Sequence, residues 1–481
     1  MLSLTPKIDT TLQSLLDDRD FLAELLDALG SPLGVLLPQR VTKNVHAFRE
    51  TYRRHRLTGR LYYAHKANRS SAILRELAAG DAGVDVASLG ELQHALGAGF
   101  TPGRIVATGP KNREFLWLAA RAGVTVSVDS PDELAELAGI VAGHRLPRVP
   151  VSLRLSGFAS SGVRVLTRRS RFGTPAGELT DLLDLLEKRA DQVELTGVAY
   201  HLDTVELPEK AVALESCLAA LDECRARGLR PRSLDIGGGF GVNYLADGAE
   251  WERWTTELGQ AVLGRRPALT WEGHGYGLRA ETGTLRGNLA LYPSYRPVAG
   301  AAYLDRLLGT PAPERGRALG ELLLDHMYDL DVEPGRALLD QCGLILTRVL
   351  SVTGEEVRLD LNARDVSLEE HGVQMDPVVI PRVEDRRTGD RRAGPAGVHL
   401  LGNLCLEADL ITRRKVFLPV VPRPGDLLAF VNTAGYFMDF SATNALHQPM
   451  ARKVAVYRSG GVRRWCLDEQ YWPVHPRQET P

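Results

Sequence analysis

From about residue 60 the chain repeats one rhythm: a short apolar strand, a glycine-bearing turn, then an amphipathic helix. Eight strands are expected, at Leu61–His65, Val84–Ala87, Arg104–Ala107, Val124–Val128, Pro150–Leu155, Thr196–His201, Ser233–Ile236 and Leu330–Val332. Helical stretches such as Ser88–Ala98, Pro131–Ala142, Glu178–Lys188 and Lys210–Arg227 separate them, with apolar residues at helical spacing. This alternation suits a closed (β/α)8 barrel, and an open doubly wound sheet would give the same rhythm. The interval between Phe240 and Glu333 is irregular. It holds a strand-like run, Ala268–Trp271, and a helical pair near Ala301–Leu308 and Arg317–His326, and reads as an insertion at about 241–329 beside the barrel mouth.

After about residue 343 the texture changes. Leu344–Thr353, Val357–Leu361, Gly397–Leu401, Lys415–Pro419, Asp426–Val431 and Lys453–Arg458 read as strands joined by turns, an all-β domain over 344–481. The early strand Leu33–Leu37 precedes the barrel rhythm, so segment 1–42 is assigned to that β domain and 43–343 to the barrel. Arg382–Gly397, rich in Arg, Asp and Gly, is expected to be a mobile surface loop. At 481 residues the chain is long enough for two or three domains.

Composition narrows the partners. A formal charge of −2, with basic and acidic residues interspersed, gives no field for holding nucleic acid. No apolar run approaches the ~20 residues that span a bilayer. The opening residues lack the basic start and apolar core of a signal peptide. Five cysteines without a CxxC pair fit a reducing, cytoplasmic location and no metal site.

Chemistry gathers at strand ends. Lys66 follows Leu61-Tyr62-Tyr63-Ala64, at the mouth of a parallel βα structure, where desolvation would lower its pKa and let the amine form a Schiff base. Gly237, Gly238 and Gly239 follow an Asp-ended strand, and their N–H groups can converge on an anion such as a phosphate. Glu333, in Glu333-Pro334-Gly335-Arg336, could hydrogen-bond a ring nitrogen while Arg336 faces a phosphate. His201, at another strand end, could stack on a flat heteroaromatic ring. Each feature alone has a bland reading: a solvated lysine, a flexible turn, a surface ion pair, a structural histidine.

Taken in order, the motifs resemble the fold-type III pyridoxal-phosphate decarboxylases, the group of the diaminopimelate, ornithine and arginine decarboxylases. They are Tyr-Ala-x-Lys-Ala-Asn at Lys66, Asp85 to Leu92, Gly109 to Asn112, Val128 to Ser130, Arg171 to Gly173, His201, Asp235 to Phe240 and Glu333 to Arg336. The resemblance covers roughly residues 30 to 450. It implies a (β/α)8 barrel plus a C-terminal β domain of the alanine-racemase-like type, and a homodimer with shared active sites. It further implies that Lys66 binds pyridoxal 5′-phosphate covalently, with His201 on the ring face and Glu333 at the ring nitrogen. Gly237, Gly238, Gly239 and Arg336 would hold the phosphate, Asp85 would sit beside Lys66, and Arg154 near the cofactor. Gly402 to Asp409 resembles the family's Gly-Pro-x-Cys-(Asp/Glu)-x-x-Asp segment. By it, Cys405 would return a proton after CO2 leaves, on the neighbouring subunit's cofactor, and a thiol of ordinary pKa near 8.5 suits that task. Asp409 would bridge to Arg171 across the dimer, and Tyr436 of Ala434-Gly435-Tyr436 would reach the phosphate.

One departure bears on substrate. Leu406 stands where the family usually has Asp or Glu to read a distal cation, and an unpaired buried ammonium costs several kcal/mol. A simple dibasic amino acid is therefore disfavoured, unless Glu407 or Asp439 compensates. Asp203 and Thr204 depart from the family's His-x-Gly-Ser, in the same direction. The expected activity is α-decarboxylation of an amino acid or amino-acid conjugate. A racemase sharing the barrel is the alternative within enzymes, and a catalytically silent homologue that binds a partner is the alternative outside them.

Overall fold

The computed structural model describes residues 2–158, 170–202, 204–382 and 394–473, which divide into two compact units. One comprises Val41–Gly241 and Ala299–Leu338. Its eight parallel strands, Tyr62–Ala64, Gly83–Val86, Ile105–Ala107, Thr125–Val128, Val149–Ser156, Val193–Tyr200, Ser233–Asp235 and Asp329–Asp331, pair in chain order. The first and last then meet: Leu61 bridges Val332 in parallel, and the Tyr62 N–H donates to the Val332 oxygen at 2.8 Å. The sheet is thus a closed barrel. Its seam passes Gly59, at φ +135°, where a Cβ would lie 1.9 Å from the Leu330 carbonyl oxygen.

The helices between the strands start where the sequence supplies an acceptor. Ser70, Ser88, Asn112 and Ser130 each precede a helix and accept from the N–H three residues on, satisfying a donor that the helix itself cannot. Two of these starts add a glutamate that reaches back, Glu91 to the Ala87 N–H and Glu133 to the Asp129 N–H. Each start comes within a few residues of a strand's end, so the connection is short and the strand's last residues face the barrel mouth.

The other unit comprises Met1–Arg40, Val242–Val298 and Leu339–Pro476. Strand Leu33–Leu36 runs antiparallel to Gly343–Thr353 and parallel to Arg452–Ser459, inside a nine-stranded sheet. Helices Thr10–Asp17 and Arg19–Leu29 cover that sheet, burying Leu12, Leu15, Leu22 and Leu26 against Leu33, Leu344 and Val454.

The interval read as one insertion is split. Helices Gly300–Leu308 and Leu319–Asp325 go with the barrel, while Val242–Val298 packs with the β unit. The physical reason is local pairing: Tyr244 accepts from the Lys7 N–H at 2.7 Å, and buried Trp254 lies under the Arg414 guanidinium at 6.0 Å. Ala268–Trp271 forms no regular strand; Thr270 makes a single bridge to Arg414, and a 3-10 turn follows at Trp271–Gly273. Most of Arg382–Gly397 lies outside the described residues, as does Asp203.

Candidate active site at the barrel mouth

Lys66 sits in a 3-10 turn, His65–Ala67, immediately after the first barrel strand. Its neighbour His65 is buried, with Nε2 2.9 Å from His94 Nδ1 and Nδ1 3.3 Å from Glu91 Oε1, so the turn is anchored on one side and Lys66 faces the other. Lys66, Arg154, His201 and Glu333 line one cavity of about 950 Å³, whose walls also include Arg171 and Phe172.

Glu333 follows the last strand, and its N–H donates to the Gly237 oxygen at 2.9 Å, which ties the two strand ends together. Burial works against its charge, but the groups around it, the Lys66 and Arg154 cations among them, outweigh burial and hold it below the usual carboxylate range. Asp85, on the second strand, goes the other way. Burial and the Glu333 charge push it up to about 7, against the pull of Lys66 and a hydrogen bond from Thr108. The two carboxyls share one cationic neighbour in Lys66, and the fully charged one is Glu333.

His201 immediately follows the sixth strand. The Gly238 N–H donates to its Nδ1 at 3.3 Å, so Nδ1 is an acceptor and the ring proton belongs on Nε2. Burial lowers its pKa, in line with a neutral ring. At 3.8 Å, Glu333 Oε2 therefore meets this ring as a nearby charge, not as a hydrogen-bond acceptor. Arg154 points into the same space, 3.6 Å from Asp129 and over the Phe172 ring at 5.1 Å.

The glycine loop is a close-approach site. Asp235 accepts from the Gly237 N–H at 2.8 Å. Gly237 has φ +63°, and a Cβ there would lie 2.6 Å from His201 Nδ1; at Gly238 it would lie 2.8 Å from the Glu333 oxygen. The N–H groups of Gly239, Phe240 and Gly241 have no acceptor among the described residues, leaving three successive donors suited to an anion. Arg336 is half-buried just beyond Glu333. A lysine amine, a flat ring and a charged carboxylate on one cavity, with an anion cradle against the His201 ring, fit pyridoxal phosphate.

The remaining expected residues lie in the β unit. Cys405, Leu406 and Glu407 are exposed on a tight loop, Leu406 at 58%. Asp409 shapes that loop by accepting from the Ala363 and Leu404 N–H groups, each at 2.9 Å. Asp439 is buried and paired with Lys453, so it already has a cation. Tyr436 adopts φ +71°, a strained value for a tyrosine, with its ring 5.6 Å from His371 and 5.9 Å from Phe440. Two further lysines, to which the motifs assign no role, brace the strand ends around the cavity. Lys111, inside the motif Gly109 to Asn112, donates to the Gly109 and Ser127 oxygens and to Glu133, pinning the ends of two strands. Lys210 is fully buried behind the glycine loop. Its spacing with Leu214, Cys217 and Leu221 on one helix stripe was the available signal.

The family model described as "pyridoxal-dependent decarboxylase, pyridoxal binding domain" matches residues 39–283. A protein of Sinorhizobium fredii, described only as uncharacterized, is 29% identical over 443 residues, covering 89% of this chain and 88% of that one. The diaminopimelate decarboxylase of Pseudomonas aeruginosa is 26% identical over 407 residues, covering 82% of this chain and 80% of that one. In fold, the chain is similar to the crystal structure of diaminopimelate decarboxylase from M. jannaschi, with a TM-score of 0.70 at 19% identity over 92% of this chain and 90% of that one. No helix among the described residues is long and apolar enough to cross a membrane.

Proposed function

Because the chain belongs to the pyridoxal-dependent decarboxylases of fold type III, we propose that it removes the α-carboxyl group of an amino acid or amino-acid conjugate lacking a distal ammonium. Leu406, where the family usually carries an acid, is the observation that carries the substrate class. Bound pyridoxal phosphate supplies the electron sink for the pair left on the α-carbon as CO2 departs. Lys66 holds the cofactor through its amine, and His201 presents a neutral ring face to it. Glu333, kept charged, holds a proton on the ring nitrogen. The loop Gly237 to Gly239 and Arg336 take the phosphate. Cys405, supplied by a second copy of the chain in a homodimer, returns the proton to the α-carbon. In that dimer Arg171 faces Asp409.

A longer substrate is the second reading, and one feature favours it. Glu206 and Glu209 stand in the cavity wall with no ion pair among the described residues, so a cation on a long arm would meet carboxylates there instead of at residue 406. Release of CO2 from a panel of amino acids and conjugates, dibasic ones included, tests both readings. Efficient turnover of diaminopimelate, lysine or ornithine would sink the first; turnover only of long cationic conjugates would favour the second. The purified protein should show a visible absorbance band that is lost in Lys66→Ala.

A further inference from the structure

The helix Leu207–Ala226 carries one lysine, Lys210, with no exposed surface. Its Nζ donates to the main-chain oxygen of Gly238 and lies 5.3 Å from the Phe240 ring centroid and 5.7 Å from that of Tyr303. No carboxylate pairs with it among the described residues. One carbonyl and two ring faces are meagre compensation for a buried ammonium, and a methionine would fill the slot without the desolvation cost. Burial brings its pKa down to about 8, so it remains mostly protonated near neutrality.

What the lysine touches is the peptide between Gly238 and Gly239. In a trans peptide the C=O and the following N–H point in opposite directions. Fixing the Gly238 oxygen on Nζ therefore aims the Gly239 N–H away from the helix, and that N–H has no acceptor among the described residues. The fit is close: a Cβ on Gly239 would lie 2.9 Å from Nζ.

Resting on the reading of this loop as the phosphate cradle, we propose that Lys210 is a positioning residue for the cofactor's phosphate. It locks the Gly238–Gly239 peptide with the N–H outward and places a buried positive charge behind the loop. The charge acts on the dianion through a dry interior, where screening is weak.

Pyridoxal, which has the ring and aldehyde but no phosphate, separates this role from general support of the fold. Dissociation constants of pyridoxal phosphate and of pyridoxal would be measured on the apoprotein by absorbance, for wild type, Lys210→Met and Lys210→Gln. Thermal melting of each apoprotein checks folding. Lys210→Met should weaken pyridoxal phosphate binding about tenfold, while pyridoxal changes by less than about twofold. Lys210→Gln, which keeps a donor but no charge, should fall between. Equal losses for both ligands, no loss for either, or failure of both variants to fold would each overturn the proposal, leaving Lys210 a structural residue. Failure of wild type to prefer pyridoxal phosphate over pyridoxal would instead overturn the phosphate reading of the loop.

Discussion

Cys405, the proposed proton donor, is exposed on a loop of the β unit, while Lys66, His201 and Glu333, the residues proposed to hold the cofactor, line the barrel cavity. Cys405→Ala is therefore expected to keep the absorbance band and the cofactor affinity but to lower product formation by roughly 100-fold or more, the usual worth of a general acid. Steady-state CO2 release with spectra of the resting enzyme checks this, and unchanged turnover would remove Cys405 from the reaction. Glu333 gives a second test at this scale. Its carboxylate is held charged against burial, so Glu333→Gln keeps the shape and deletes the charge. Turnover should fall by at least about tenfold with cofactor retained, because a neutral amide does not hold a proton on the ring nitrogen. Lys66, His201 and Glu333 were legible because each follows an apolar strand, a place where a polar residue faces the barrel mouth. Lys210 was not, because a lysine in a helix reads as solvated unless its place on the apolar stripe is weighed first.

The strands of the barrel were legible for a similar reason: each is a short apolar run cut off by a turn, and the helix after it starts at a capping serine or asparagine. Periodicity alone left closed barrel and open sheet undecided, since closure depends on the contact, through several backbone hydrogen bonds, between ends about 270 residues apart in sequence. Gly59 makes that contact possible. A side chain there would collide with the Leu330 backbone at a φ only glycine adopts with ease. Gly59→Ala should thus destabilise the protein by about 1–3 kcal/mol, read as a lowered denaturation midpoint, with the seam's amides exchanging hydrogen fastest. A midpoint equal to wild type would mean the seam relaxes without loss. Elements with weak patterns were harder to read. Helix Gly248–Val262 buries only Trp254, Leu258 and Gly259 along its length, and the N-terminal helices lie before any strand that would have announced them.

Across the molecule, the barrel carries acidic groups at both ends of its interior. Below the candidate active site, a polar cavity of about 470 Å³ is lined by Asp235, Asp331, Arg60, Ser127 and Ser152 among others. Burial pushes Asp331 up to about 7, although the Arg60 N–H donates to its Oδ1 at 2.7 Å. Unfolded, the same carboxyl titrates near 3.9. The native protein therefore binds this proton more tightly than the unfolded chain, so the contribution is favourable below about pH 4 and declines as pH rises toward 7. His201 acts oppositely in acid, since its lowered pKa costs stability when the unfolded ring charges below about 6.5, and a wild-type profile alone mixes both with Asp85, which is raised like Asp331. Asp331→Asn isolates the first, because the amide oxygen still accepts from the Arg60 N–H but cannot titrate. Denaturation midpoints of the apoprotein between pH 4.5 and 8 should show the variant gaining on wild type as pH rises, with the gap levelling off above about pH 7. A gap independent of pH would mean that Asp331 titrates alike in both states, and that water in the lower cavity solvates its charge as well as bulk solvent does.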